Sequence, residues 1–202
     1  MKQRISLLFV FFAFAVTAFG QVDNISSQAA LVTEFDAGGI KVILKRRPNS
    51  PTVAGGLFIK GGARNIDEKS AGIERLTLAT AIEAGKNTPR ATVRRELSRM
   101  GSGIGSAATN DYSVISIAST RPDFDRAFEI FSDVTLNPVF AEDDLNRNRE
   151  QLLAGLRESS SVPEAALANL ERRIVYSGHP YANDVSGTAA TIASFTANDL
   201  RA

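Results

Sequence analysis

The 202 residues carry 23 Lys and Arg against 22 Asp and Glu, a single His and no Cys. Without a basic excess there is no electrostatic footprint for nucleic acid. Without Cys there is neither a disulfide scaffold nor a lipoprotein anchor.

Residues 1–20 stand apart from the rest. Lys2 and Arg4 precede an uncharged apolar run, Ile5–Ala18, and Ala18-Phe19-Gly20 offers small residues at the cleavage-determining positions. This is the pattern of a secretory signal peptide, and the run is short for a membrane span. Removing it leaves 21 basic and 22 acidic residues, a net of −1. The expectation is an exported protein, periplasmic or extracellular, with no integral anchor after cleavage.

From Gln21 the chain reads as one α+β domain. Ala30–Phe35 and Ile40–Lys45 form a predicted hairpin around Asp36-Ala37-Gly38-Gly39. Thr52–Lys60 is a third strand, and its internal Gly55-Gly56 suggests a bulge or a close approach. A mostly apolar helix spans residues 70–84, with Gly85 as its C-cap. Thr88 is the expected N-cap of the next helix, with Pro89 in the first helical position. Ser102–Asn110 and Tyr112–Ser119 make a second hairpin through Asn110-Asp111.

Five helical stretches follow. Phe124, Ala127, Phe128, Phe131 and Val134 share a helical face expected to pack on the sheet. Glu142–Glu158 is a long helix with Leu145, Leu152, Leu153 and Leu156 on one side. Asp143 and Asp144 sit in its first turn, where acids meet the helix dipole favourably. Pro163–Tyr176 is a helix with Ala166, Leu170 and Ile174 turned inward. Thr188–Ser194 is short and helical, and Thr196 caps a last helix that the sequence leaves unfinished at Ala202. Strands, then a hairpin, then helices on one face give a mainly antiparallel sheet with helices packed on one side.

Motif chemistry is sparse. Catalytic zinc takes about three protein ligands from His, Cys and carboxylates, and here only His179 offers imidazole. In its Gly-His-Pro-Tyr loop the ring is expected to bond local backbone. No Gly-x-Ser-x-Gly elbow supports a serine nucleophile. Gly101-Ser102-Gly103 and Gly103-Ile104-Gly105 follow a helix rather than a strand, which opposes a phosphate loop. Glu150 and Glu158 flank the inner stripe of the long helix without a partner set.

Taken together, IKVILK, GLFIKGGAR, AGIERLTLATAIEAGKNTPR, MGSGIGSAATNDYSVISI, LNPVFAEDDLNRNREQLLAGLRE, SGHPY and ASFTANDLRA resemble the N-terminal domain of the insulinase, pitrilysin and mitochondrial processing peptidase family. The resemblance runs from about Leu31 to the last residue. Active members carry H-x-x-E-H on the helix after the Gly-Gly turn: two His bind zinc, the Glu activates water, and a distant Glu is the third ligand. Counted from Gly72, the His positions fall on Arg75 and Ala79 and the base on Leu78. The distant Glu falls on Gly155, one turn before Glu158. Arg75 has no acceptor lone pair, and the other three offer no donor.

The resemblance therefore implies a zinc-free, non-catalytic member, with no cofactor and with Arg75 in the space a metal would take. Its expected partner is an active metallopeptidase of the same family, forming a chamber for peptides. Thr52–Lys60 is the candidate edge for an extended substrate. It also implies that a second, similar domain lies beyond residue 202. The alternatives are an active zinc metalloendopeptidase with an atypical site and a solitary peptide-binding or scaffold protein.

Overall fold

The computed structural model describes residues 28–201. The expected signal peptide lies outside these residues. The chain divides into two compact units between Ser50 and Pro51.

The first unit is the predicted hairpin. Strands β1 (Val32–Ala37) and β2 (Ile40–Lys45) pair antiparallel, with Ala37 opposite Ile40. The connecting Gly38 and Gly39 have φ of 64° and 87°, a left-handed pair that glycine adopts without strain. The Asp36 carboxylate fixes the turn by accepting from the Gly39 N–H at 2.8 Å. One face holds Phe35, Ile40 and Leu44; the other carries a Lys41–Glu34 ion pair.

The second unit contains a three-stranded antiparallel sheet of β3 (Thr52–Lys60), β4 (Gly103–Ala108) and β5 (Tyr112–Thr120), with β5 central. Its helices are α1 (Ile73–Ala81), α2 (Arg90–Arg99), α3 (Phe124–Leu136), α4 (Glu142–Ser160), α5 (Pro163–Val175) and α6 (Ala189–Ser194). β5 sets the two faces of the sheet. Ser113, Ile115, Ile117 and Ser119 are buried, whereas Ser116 and Ala118 are exposed. The period of two puts the buried set under the helices. Gly55 and Gly56 introduce no bulge, since register runs unbroken from Thr52 to Lys60. Instead a Cβ on Gly56 would lie 3.2 Å from the Phe58 ring.

Two apolar clusters hold the unit together. Leu78, Val93, Ile115, Ile117, Ile130 and Val134 form the first, between sheet and helices. Leu76, Phe140, Leu145, Ile192, Phe195 and Leu200 form the second. α1 supplies a leucine to each, so it is the shared wall. Among the described residues no helix is long and apolar enough to cross a membrane.

Several sequence expectations change for identifiable reasons. α1 ends at Ala81 with Ile82 as its cap, and Gly85 is not left-handed. Gly85 is required elsewhere: a Cβ there would sit 2.3 Å from Asp133 Oδ2. Thr88 makes no helix cap; it is buried and bonds to Asp133, and Pro89 occupies the cap position. On α3, Phe128 is 47% exposed, and Ile130 packs inward in its place. α5 turns the opposite way from its apolar stripe. Leu170 and Ile174 are 54% and 66% exposed, and Ala166 is exposed too. Ala165, Asn169 and Arg172 are half-buried instead. Arg172 pairs with Asp184 at 2.6 Å and donates to Asn169 Oδ1, so a polar anchor sets the roll of this helix.

Asp133 is the buried carboxylate of α3. Burial pushes its pKa up, but bonds from the Asn87 N–H, the Thr88 hydroxyl and the Asn87 side-chain amide together outweigh burial and hold it below the usual carboxylate range. A depressed carboxyl stabilises the fold above its unfolded pKa, about 4, and that stability is lost as pH falls through the folded value. Asp133→Asn should lower stability at pH 7 by about 1–3 kcal/mol. It should also flatten the decline below pH about 4, as read from urea denaturation at stepped pH.

Candidate functional site

The Gly61-Gly62 turn between β3 and α1 is built by three constraints. Gly62 has φ of 81°, and a Cβ there would come within 2.3 Å of the Thr109 carbonyl oxygen. Ala63 N–H donates to that carbonyl and Arg64 N–H to the Asn110 carbonyl, seating the turn on the β4–β5 hairpin. The third constraint is Glu74, in the first turn of α1. Its carboxylate accepts from the Gly62 N–H at 2.9 and 3.0 Å and from the Ser113 hydroxyl at 2.6 Å. One side chain thus joins the turn, the helix start and the central strand.

The start of α1 is also pinned from the other side. Gly72 and Gly187 cross at backbone contact: a Cβ on Gly72 would be 2.8 Å from Gly187 Cα, and one on Gly187 would be 2.6 Å from the Ala71 carbonyl oxygen. The Thr191 hydroxyl donates to the same Ala71 carbonyl at 2.8 Å. Asn183 Nδ2 donates to the Ile66 carbonyl at 3.0 Å.

The four positions singled out by the sequence fall in different surroundings. Arg75 is exposed, and its guanidinium donates to the Ser186 hydroxyl. Leu78 points into the first apolar cluster, 9% exposed. Ala79 is half-buried, and its carbonyl accepts from Asn148 Nδ2 of α4 at 3.3 Å. Gly155 is exposed on α4 with open space around a would-be Cβ. A guanidinium, two apolar side chains and a glycine form no zinc donor set. Among the described residues no three His, Cys, Asp or Glu gather into a metal-binding group.

His179 behaves as its loop suggests. Nδ1 accepts from the Tyr181 N–H at 3.2 Å, which caps a 3₁₀ turn over Pro180–Ala182. The Tyr181 hydroxyl donates to the Asp111 carboxylate, and this bond raises its pKa. Asp144 is more than a helix-dipole acid: it is buried and ion-pairs with Arg90 at 2.8 Å and with Arg147. Glu74 and Gly187 went unrecognised in the sequence. A lone carboxylate at the head of a mostly apolar helix is the available signal for the first.

The family model for insulinase, peptidase family M16, matches residues 41–189. The chain belongs to this family. Among M16-related chains, it is 23% identical over 169 residues to cytochrome b-c1 complex subunit 1 of Bos taurus, covering 84% of this chain and 35% of that one. It is 21% identical to the mitochondrial-processing peptidase subunit beta of Saccharomyces cerevisiae, covering 81% and 35%. A crystal structure of a peptidase M16 inactive domain from Pseudomonas fluorescens superposes with a TM-score of 0.76 at 25% identity, over 84% of this chain and 42% of that one. The chain spans about a third of the length of the curated relatives it matches. The M16 fold and the likeness to an inactive domain are thus established together.

Two substitutions test this geometry. Glu74→Ala should cost about 1–3 kcal/mol by orphaning the Gly62 N–H and the Ser113 hydroxyl, with Glu74→Gln retaining part of the stability in urea melts. Leu78→Glu, which would supply a carboxylate at the expected position of the base, should lose several kcal/mol because the charge enters an apolar cluster. Loss of the cooperative urea transition, or a sharply lowered midpoint, is the expected readout.

Proposed function

We propose that this M16 chain is an exported, non-catalytic subunit that pairs with an active zinc metallopeptidase of its own family and helps hold peptide substrate. The observation that carries this reading is α1. Taken as the counterpart of the family's H-x-x-E-H helix, it carries Arg75, Leu78 and Ala79 at the ligand and base positions, and Leu78 packs in the first apolar cluster. In this reading Gly155 takes the place of the third ligand, and no zinc is bound.

Relatives that include a processing-peptidase subunit alpha and a subunit beta support the partnership. Each is named as one subunit of a larger assembly. The leader at residues 1–20 supports export. Extended peptide would add to an outer strand of the sheet. β3 is the proposed strand, and it is an outer strand of the three.

The purified chain should hold no stoichiometric zinc and should not hydrolyse unfolded peptides. One bound equivalent that disappears in Glu158→Gln would overturn the non-catalytic reading. Affinity capture of the tagged chain from its native envelope should bring down an M16 relative carrying H-x-x-E-H. Capture of the chain alone would replace the paired reading with a solitary one.

A further inference from the structure

His179 is the one histidine of the chain, and its ring serves as a hydrogen-bond acceptor. Nδ1 takes the Tyr181 N–H at 3.2 Å, so the neutral ring carries its proton on Nε2. We propose that this loop is a pH-sensitive latch: neutral His179 shapes residues 179–182 so that Tyr181 clasps Asp111 of the β4–β5 hairpin, and protonation of the ring releases the clasp. Both nitrogens of an imidazolium carry protons, so no flip of the ring restores an acceptor for the Tyr181 N–H.

The clasp joins distant parts of the larger unit. The Tyr181 hydroxyl donates to Asp111 Oδ1 across 70 residues of sequence. The His179 and Tyr181 rings stand edge to face with centroids 4.6 Å apart, and the Tyr176 ring lies 5.6 Å from that of Tyr181. Gly178, with φ of 77°, turns the chain into the loop. Beyond the loop, Asn183 is bonded to the Ile66 carbonyl and Asp184 to Arg172. Release is therefore confined to residues 178–182.

The neighbouring groups offer the protonated ring no spare partner. The loop packs on α5 and on the 3₁₀ turn Ala63–Asn65. That turn contributes Arg64, a cation 3.7 Å from Asp111. From α5 come the exposed Arg173 and the Arg172 guanidinium, which is paired with Asp184; Tyr176 follows as its cap. The hairpin contributes Asp111, already shared by Arg64 and Tyr181. Both carboxylates around the loop are thus engaged. An imidazolium that reached Asp111 would displace the Tyr181 hydroxyl, which also opens the clasp.

Histidine is the ordinary side chain that changes charge between about pH 5 and 8, so amide NMR spectra of the folded full chain across that range test the latch. The Tyr181 and Asp111 amides should shift together with the His179 ring. Protection of the Tyr181 N–H, corrected for the intrinsic exchange rate, should fall roughly 2–10-fold at the acid end. His179→Asn puts an amide oxygen, an acceptor at every pH in the range, in place of Nδ1 and should hold both amides at their neutral-pH positions. Tyr181→Phe should leave the amide of position 181 responsive to pH while the Asp111 amide stops following it. A Tyr181 amide that stays still as His179 titrates, an Asp111 amide that does not follow, an Asp111 response that survives Tyr181→Phe, or the same transition in His179→Asn would each overturn the latch.

Discussion

The Glu74 carboxylate, bonded at once to the Gly62 N–H and the Ser113 hydroxyl, is the constraint from which the larger unit is laid out. It fixes where α1 leaves the sheet and how the strand–helix turn rests on the β4–β5 hairpin. Two apolar clusters can then share α1, with Leu78 on the sheet side and Leu76 toward α4 and α6. A helix gripped in this way is a precise platform. In this chain the platform presents packing, through Leu76 and Leu78. A scaffold element of this kind fixes position independently of whatever chemistry its side chains carry.

Charged anchors rather than apolar stripes decide several orientations. Asp144 receives Arg90 and Arg147 at the start of α4. Arg149 donates to the Ile192 and Phe195 carbonyls, fixing the end of α6. Arg172 and Asp184 roll α5 so that Leu167, Leu170 and Ile174 face outward. Half-buried ion pairs of this kind exact a desolvation cost, but they discriminate between helix faces that hydrophobicity alone would order differently.

Much of the fold was legible because its signals are local. Gly38-Gly39 and Asn110-Asp111 announced two hairpins, and the β5 alternation announced a sheet covered on one side. The α3 stripe was right except at Phe128. The failures share a cause: their determinants lie far along the chain. Nothing near Gly85 in sequence says that Asp133 will press against it. The apolar period of α5 is present in the sequence, but its inward face is set by Asp184 through Arg172. At the candidate site, the residue types at Arg75, Leu78, Ala79 and Gly155 are read directly from the sequence, whereas the clasp by Glu74 and the crossing with Gly187 exist only once the chain has folded.

That crossing bears on how such a chain can drift. Gly72 and Gly187 each exclude a side chain from the other, and neither restriction involves a metal, a substrate or a proton. A lineage that no longer cuts peptides would be free to vary Arg75 or Gly155, yet it could not alter either glycine without moving the head of α1. Selection on shape alone would then keep an enzyme's framework intact long after its reaction had gone.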